Sequence, residues 1–163
     1  NISEREYSVK AIQKIFRDIR DSEVPMNIFY HTSKGIETNR LDPEIPEMGV
    51  SQCSSFIPFE DIAYYYRNTD VFFPTHRETQ GMVAQEIAAC GGITVLQEWM
   101  YPKTTHDQFP AMLYKQNQKI DFVFIKEVLK NYPKDQIRKN TIKKCGFNNF
   151  QKRLKVIIQK LFE

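Results

Sequence analysis

The chain is 163 residues long, 41% hydrophobic and 26% charged, with a formal net charge of +3. That length gives a single domain, residues 1–163, able to bury roughly two thirds of its unfolded surface, and the composition points to a soluble globular protein rather than disorder. No apolar run approaches the about 18 residues of a membrane span. Three cysteines (Cys53, Cys90 and Cys145) with no C-x-x-C pair argue against a disulfide framework or a zinc site and suit a reducing, cytoplasmic compartment.

Taken in order, residues 4–21 read as an amphipathic helix: Val9, Ile12, Ile15, Phe16 and Ile19 recur at helical spacing, and Ser3 with Glu6 forms a capping box. The β formers of "NIFYHTS" follow as a strand. Acids and prolines between Lys34 and Gly49 mark a loop, and a second strand is predicted within 51–57. Pro58 opens the helix "PFEDIAYYYRN", with acids near the positive end of its dipole. "DVFFPT" has no polar alternation, as expected of a parallel strand covered on both faces. A helix from Gly81 to Cys90, a Gly91–Gly92 C-cap and the strand "ITVLQ" complete a βαβ unit. Residues 97–113 read as a polar loop, and helices are predicted at about 120–131, 134–145 and 147–162. The alternation defines an α/β fold, an open parallel sheet of Rossmann type flanked by helices and followed by C-terminal helices. In such sheets ligands sit beyond the carboxyl ends of the strands, which directs attention to 56–60 and 74–82.

The second of these reads Pro74-Thr75-His76-Arg77-Glu78-Thr79-Gln80-Gly81-Met82-Val83-Ala84-Gln85-Glu86. Gly81 at the helix start leaves the first amides open to an anion such as phosphate, and each charge-assisted bond there is worth about 1.5–3 kcal/mol. On a helical wheel Val83, Ile87 and Cys90 form the buried stripe and Glu86 sits at its edge. A carboxylate so placed calls for hydrogen-bond donors, and neighbouring sugar hydroxyls supply them. Glu78, eight residues earlier, points into the same crevice. Two acids around an amide-lined anion site suit phosphate held between two polyols, the layout of a nucleotide sugar. Taken singly, Glu78 reads as a helix-dipole partner and Glu86 as a surface residue near the boundary.

"RETQGMVAQEIAACGGITVL" resembles the E-x7-E segment of retaining GT-B glycosyltransferases of the family 4 type, whose usual form is P-S-x-x-E-x-F-G-x-x-x-x-E-A-M-A-C-G-x-P-V-V. "FEDIAYYYRNTDVFFPT" upstream looks like the segment that precedes it there, with Tyr66, Asp70 and Thr75 matching, and "FNNFQKRLKVIIQKLF" is similar to the C-terminal helix. The match is good over about residues 55–97 and loose elsewhere. Gln80, Ile87 and Ile93 depart from the family's aromatic, alanine and proline. The resemblance implies the donor-binding, C-terminal half of a two-domain enzyme. Its partners would be a UDP- or GDP-sugar and an N-terminal acceptor-binding domain. Neither metal nor cofactor is expected. Carried over by position, Glu78 contacts the donor sugar and is the candidate catalytic residue, and Glu86 contacts the ribose. Amides at Gly81, Met82 and Val83 cap the phosphates, with Thr79, Gln80 and His76 beside them and the Ile57–Glu60 loop, Pro58 included, facing the base. The family's diphosphate-clamping arginine has no counterpart, and Lys10 and Lys14 are loose candidates for its lysine.

The remaining features favour plainer readings. His31 and "HTSKG" suit a strand-end loop, and His106 has no evident partner. Of Tyr64, Tyr65 and Tyr66, at least one belongs in the core, because adjacent helical residues point apart. Cys90 is structural, packed on the sheet. From Lys115 onward only Asp121, Glu127, Asp135 and Glu163 offset many Lys and Arg, a basic end that reads as a solvated face before it reads as a peripheral contact with anionic lipid at the cytosolic face of a membrane. Two other function classes stand beside the transferase reading. One is a degenerate, non-catalytic scaffold module. The other, ranked last and not expected, is a nucleic-acid-binding domain on the basic helices.

Overall fold

The structure, a computed structural model, describes residues 4–31, 50–53, 57–75, 81–101, 109–146, 148–149 and 151–152. Its elements in chain order are α1 (Glu4–Arg20), β1 (Ile28–His31), β2 (Val50–Cys53), α2 (Phe59–Asn68), β3 (Val71–Phe72), α3 (Met82–Ala89), β4 (Ile93–Gln97), β5 (Ala111–Tyr114), α4 (Phe122–Asn131) and α5 (Lys134–Cys145). All strand pairs are parallel: β1 with β2, and β3–β4–β5 with β4 in the middle. The chain is therefore an α/β protein with an open parallel sheet of Rossmann-like kind. Among the described residues no helix is long and apolar enough to cross a membrane.

β4 organises the fold. Its β-branched Ile93, Thr94 and Val95 favour an extended backbone, and all five of its residues are buried. Alternate side chains leave opposite faces. Ile93 and Val95 join one cluster with Ile15 and Ile19 of α1, Phe122 and Ile125 of α4 and Ile137 of α5. Leu96 joins another with Ala84 and Ala88 of α3, Met100, Tyr101 and Phe109. Ile28 of β1, Val71 of β3 and Phe73 just after it pack on the first cluster, which ties both sheets to one core. Fully burying one such side chain contributes about 1.5–3 kcal/mol.

The βαβ unit is built as the sequence predicts. Helix α3 connects the parallel strands β3 and β4 and ends in a Schellman turn: Gly91 N–H donates to the Ala88 carbonyl (3.0 Å) and Gly92 N–H to that of Ile87 (3.0 Å). Gly91 adopts a φ of 99°. A Cβ there would lie 2.6 Å from Lys134 Cβ and 2.8 Å from its carbonyl oxygen. Glycine thus lets α5 close directly over the end of α3, and Lys134 fastens the joint by an ion pair to Asp70 (2.8 Å) and a hydrogen bond to the Arg67 carbonyl (3.1 Å).

Several expectations need correction. β5 lies inside the stretch read as a loop: "AMLY" has weak strand character of its own and is extended because β4 supplies its ladder, bounded by Thr94 N–H to Pro110 O and Glu98 N–H to Tyr114 O (both 3.2 Å). β3 is shorter than "DVFFPT", since Pro74 has no N–H to donate. The second strand begins one residue early, at Val50. Asp18, which the amphipathic pattern of α1 ignores, is buried: its carboxylate accepts from Ile120 N–H (3.0 Å) and from Lys14. None of the three tyrosines of α2 is buried, because that helix buries no residue at all. Ser3, His106 and most of the predicted 147–162 helix lie outside the described residues, of which 148–149 and 151–152 are helical.

Candidate functional site

Parallel pairing places the carboxyl ends of the strands together within each sheet, His31 with Cys53 in one and Phe72, Gln97 and Tyr114 in the other. From β3 the chain runs through Phe73, the buried Pro74 and the half-buried Thr75 beyond that end of its sheet. It re-enters at Gly81, the N-cap of α3, which is buried and left-handed at φ 63° and ψ 39°. A side chain would be strained there. The first intrahelical donor is Gln85 N–H to the Gly81 carbonyl (3.1 Å). The amides of Met82, Val83 and Ala84 therefore have no i−4 acceptor among the described residues.

The electrostatics of this helix start are distinctive. α3 has neither a capping side chain nor an acid in its first turn, so its own residues leave the positive end of the dipole uncompensated. α2 carries Glu60 and Asp61 in that position, α4 is capped by Asp121 accepting from Phe124 N–H (2.9 Å), and α5 carries Asp135. Among α2 to α5, and counting the described residues, α3 alone has neither a capping side chain nor a first-turn acid, the kind of helix start that suits an anion.

Glu86 lies in the second turn of α3, exposed, beside Tyr66 of α2 and Cys90. The buried face of α3 is Ala84, Ile87 and Ala88, not the expected Val83–Ile87–Cys90 stripe; Val83 and Cys90 are half-buried. Two alanines in the strand-facing positions let the helix lie close on β4, and this rotates Glu86 toward α2 instead of the sheet. There the Tyr66 phenol is pushed up to about 12 by burial, then by the Glu86 carboxylate near it, then by Cys90.

The other expected residues divide plainly. Gly81, Met82, Val83 and Glu86 come together on α3, and Pro58 caps α2 with an exposed ring. His76, Glu78, Thr79 and Gln80 lie outside the described residues, as does the side chain of His31. Lys14 is engaged by Asp18 and sits 5.4 Å from the Tyr114 ring centroid, while Lys10 is exposed on α1. Two residues escaped sequence reasoning. Tyr66 stood out only as a match to the family's upstream segment, with no role attached, and its nearness to Glu86 depends on how α2 meets α3. Gln97 is 2% exposed at the carboxyl end of the central strand, where its Oε1 accepts from Trp99 Nε1 (2.8 Å); a lone glutamine closing an apolar run was its signal. Among the described residues no group of three metal-ligating side chains is gathered. No protein-family model matches the chain, and no curated protein matches it.

Proposed function

We propose that the chain is a nucleotide-sugar-binding domain that acts as the donor half of a retaining GT-B glycosyltransferase, together with an N-terminal acceptor-binding domain. The observation that carries this reading is the acid-free, glycine-capped start of α3 at the carboxyl edge of a parallel sheet, with a carboxylate one turn further on. The amides of Met82, Val83 and Ala84 would bind the diphosphate and Glu86 the ribose. Glu78, Thr79, Gln80 and His76 would contact the sugar and its phosphate, with Glu78 nearest the reacting carbon, and Pro58 would border the base. Chemistry is electrostatic in this reading: fixed amides stabilise the diphosphate as it departs, without a metal. Titration calorimetry of UDP- and GDP-sugars tests it. Glu86→Ala is expected to weaken binding about tenfold, the worth of a hydrogen bond to a charged group, with the fold intact. Unchanged affinity would sink the assignment.

A second reading, a scaffold module that has lost its ligand, draws on Lys14, the lysine candidate, being tied to Asp18. Saturation-transfer NMR separates the two: a degenerate lobe gives no signal with UDP, GDP or their sugars.

A further inference from the structure

We infer that Trp99 is the platform on which the donor's sugar stacks: its indole, set just past the carboxyl end of β4, lies against the apolar C–H face of the pyranose carried by the nucleotide diphosphate. This rests on the nucleotide-sugar reading and adds to it a residue that recognises the transferred group. β4 ends at Gln97, and the chain turns at once, with Met100 N–H donating to the Gln97 carbonyl (3.0 Å). Glu98 N–H donates to the Tyr114 carbonyl (3.2 Å), which ties the turn to β5. Met100 and Tyr101 are buried in one cluster with Ala84, from the first turn of α3. The turn is therefore held by both strands and by the helix whose start the donor reading assigns to the diphosphate.

Within this fixed turn Trp99 is 46% exposed, while Met100 beside it is fully buried. Its Nε1 donates to Oε1 of Gln97 (2.8 Å), and Gln97 is itself buried. That bond satisfies the one donor of the indole and fixes the edge of the ring without covering it. What the ring then offers a ligand is its π face, which carries negative partial charge and attracts the positive edges of a partner. The C–H groups on one side of a pyranose have that character. A ring already fixed loses little freedom on stacking, which is how preorganisation raises affinity. A diphosphate has two ends, and the nucleoside end is taken in the donor reading by Pro58 at the start of α2. That helix leans on the first sheet through the stack of Tyr65 on Phe29 (4.5 Å between centroids). Trp99 belongs to the other sheet, at the end of its middle strand, and so falls to the sugar.

Trp99 is the chain's single tryptophan, so the intrinsic indole emission is its own. The first test is acrylamide quenching of the full wild-type chain with UDP-glucose, GDP-mannose and the parent UDP and GDP. A bound nucleotide sugar is expected to shield the emission, and a bound parent nucleotide to leave it unchanged. The second is calorimetry of Trp99→Leu, expected to weaken the nucleotide sugar about fivefold, the worth of one aromatic contact, and to leave UDP and GDP unchanged. Equal shielding by nucleotide and nucleotide sugar would overturn the inference while the donor reading stands. So would a bound nucleotide sugar that gives no shielding, or equal losses for both ligands in the variant. A wild-type chain that binds none of the four overturns the donor reading and the inference together.

Discussion

Helices α2 and α3 lie side by side and each follows a strand of a parallel sheet, yet they meet the protein in opposite ways. α3 turns Ala84, Ile87 and Ala88 inward and is closed at its far end by two glycines under α5. α2 buries nothing; Phe59 is 84% exposed. At their N-termini the contrast reverses. The loosely packed α2 neutralises its own dipole with Glu60 and Asp61, whereas the closely packed α3 carries no acid in the turn that follows Gly81. An anion site needs fixed donors, because amides that must first be ordered lose in entropy what they gain in hydrogen bonds. The lesson is that the better-packed of the two helices is the one whose first turn carries no acid, so the feature that holds the fold and the feature that suits an anion fall on the same element.

The contrast is open to several tests. The largest effect is expected at the joint of α3 with α5. Gly91→Ala forces a Cβ into the Lys134 backbone at a left-handed φ, and the strain and overpacking together should cost about 3 kcal/mol in urea unfolding. A loss below 1 kcal/mol (about the level of an ordinary surface change) would mean that α3 is not clamped as described. Beneath α3, Thr94 Oγ1 is buried and has no hydrogen-bond partner among the described residues. Thr94→Val, which keeps the shape, should raise stability by about 1 kcal/mol; a loss would reveal a partner for that hydroxyl.

The contact between the two helices gives a smaller, pH-dependent signal. Tyr66 is raised from 10.0 to about 12, so below pH 10 its contribution is complete. Between pH 10 and 12 the unfolded phenol ionises while the folded one does not, and stability falls as pH rises. Tyr66→Phe should abolish that component, seen as a narrowing gap between the two urea midpoints over this range. The smallest effect is expected on α2: Phe59→Ala should change stability by less than about 0.5 kcal/mol, and a larger loss would mean that this helix is covered.

Much of the α3 region is legible in the amino-acid sequence. Its βαβ arrangement follows from two apolar runs, "DVFF" and "ITVLQ", around a helix with glycine at either end, and the Gly91–Gly92 cap is present as expected. The phase of the helix was not legible. The wheel put Val83, Ile87 and Cys90 inward, whereas Ala84, Ile87 and Ala88 are the buried residues. The close approach of the backbone to β4 favours the alanines. Of the candidate site, Gly81, Met82, Val83 and Glu86 were placed together by spacing alone. The partner of Glu86 was not, because Tyr66 lies twenty residues earlier on another helix.

The chain by itself determined what depends on near neighbours: an α/β order of elements, the C-cap of α3, the apolar β4 and the glycine-led entry to α3. These follow from side-chain periodicity and local backbone preference, which are encoded within a few residues. Tertiary structure decided the rest. β5 exists because β4 offers it a ladder, and Asp18 is buried because the amide of Ile120 receives it across the fold. Glu86 faces Tyr66 because two alanines let α3 settle on the sheet at one particular rotation. Each is a contact between distant residues, so its energy is absent until the chain has closed.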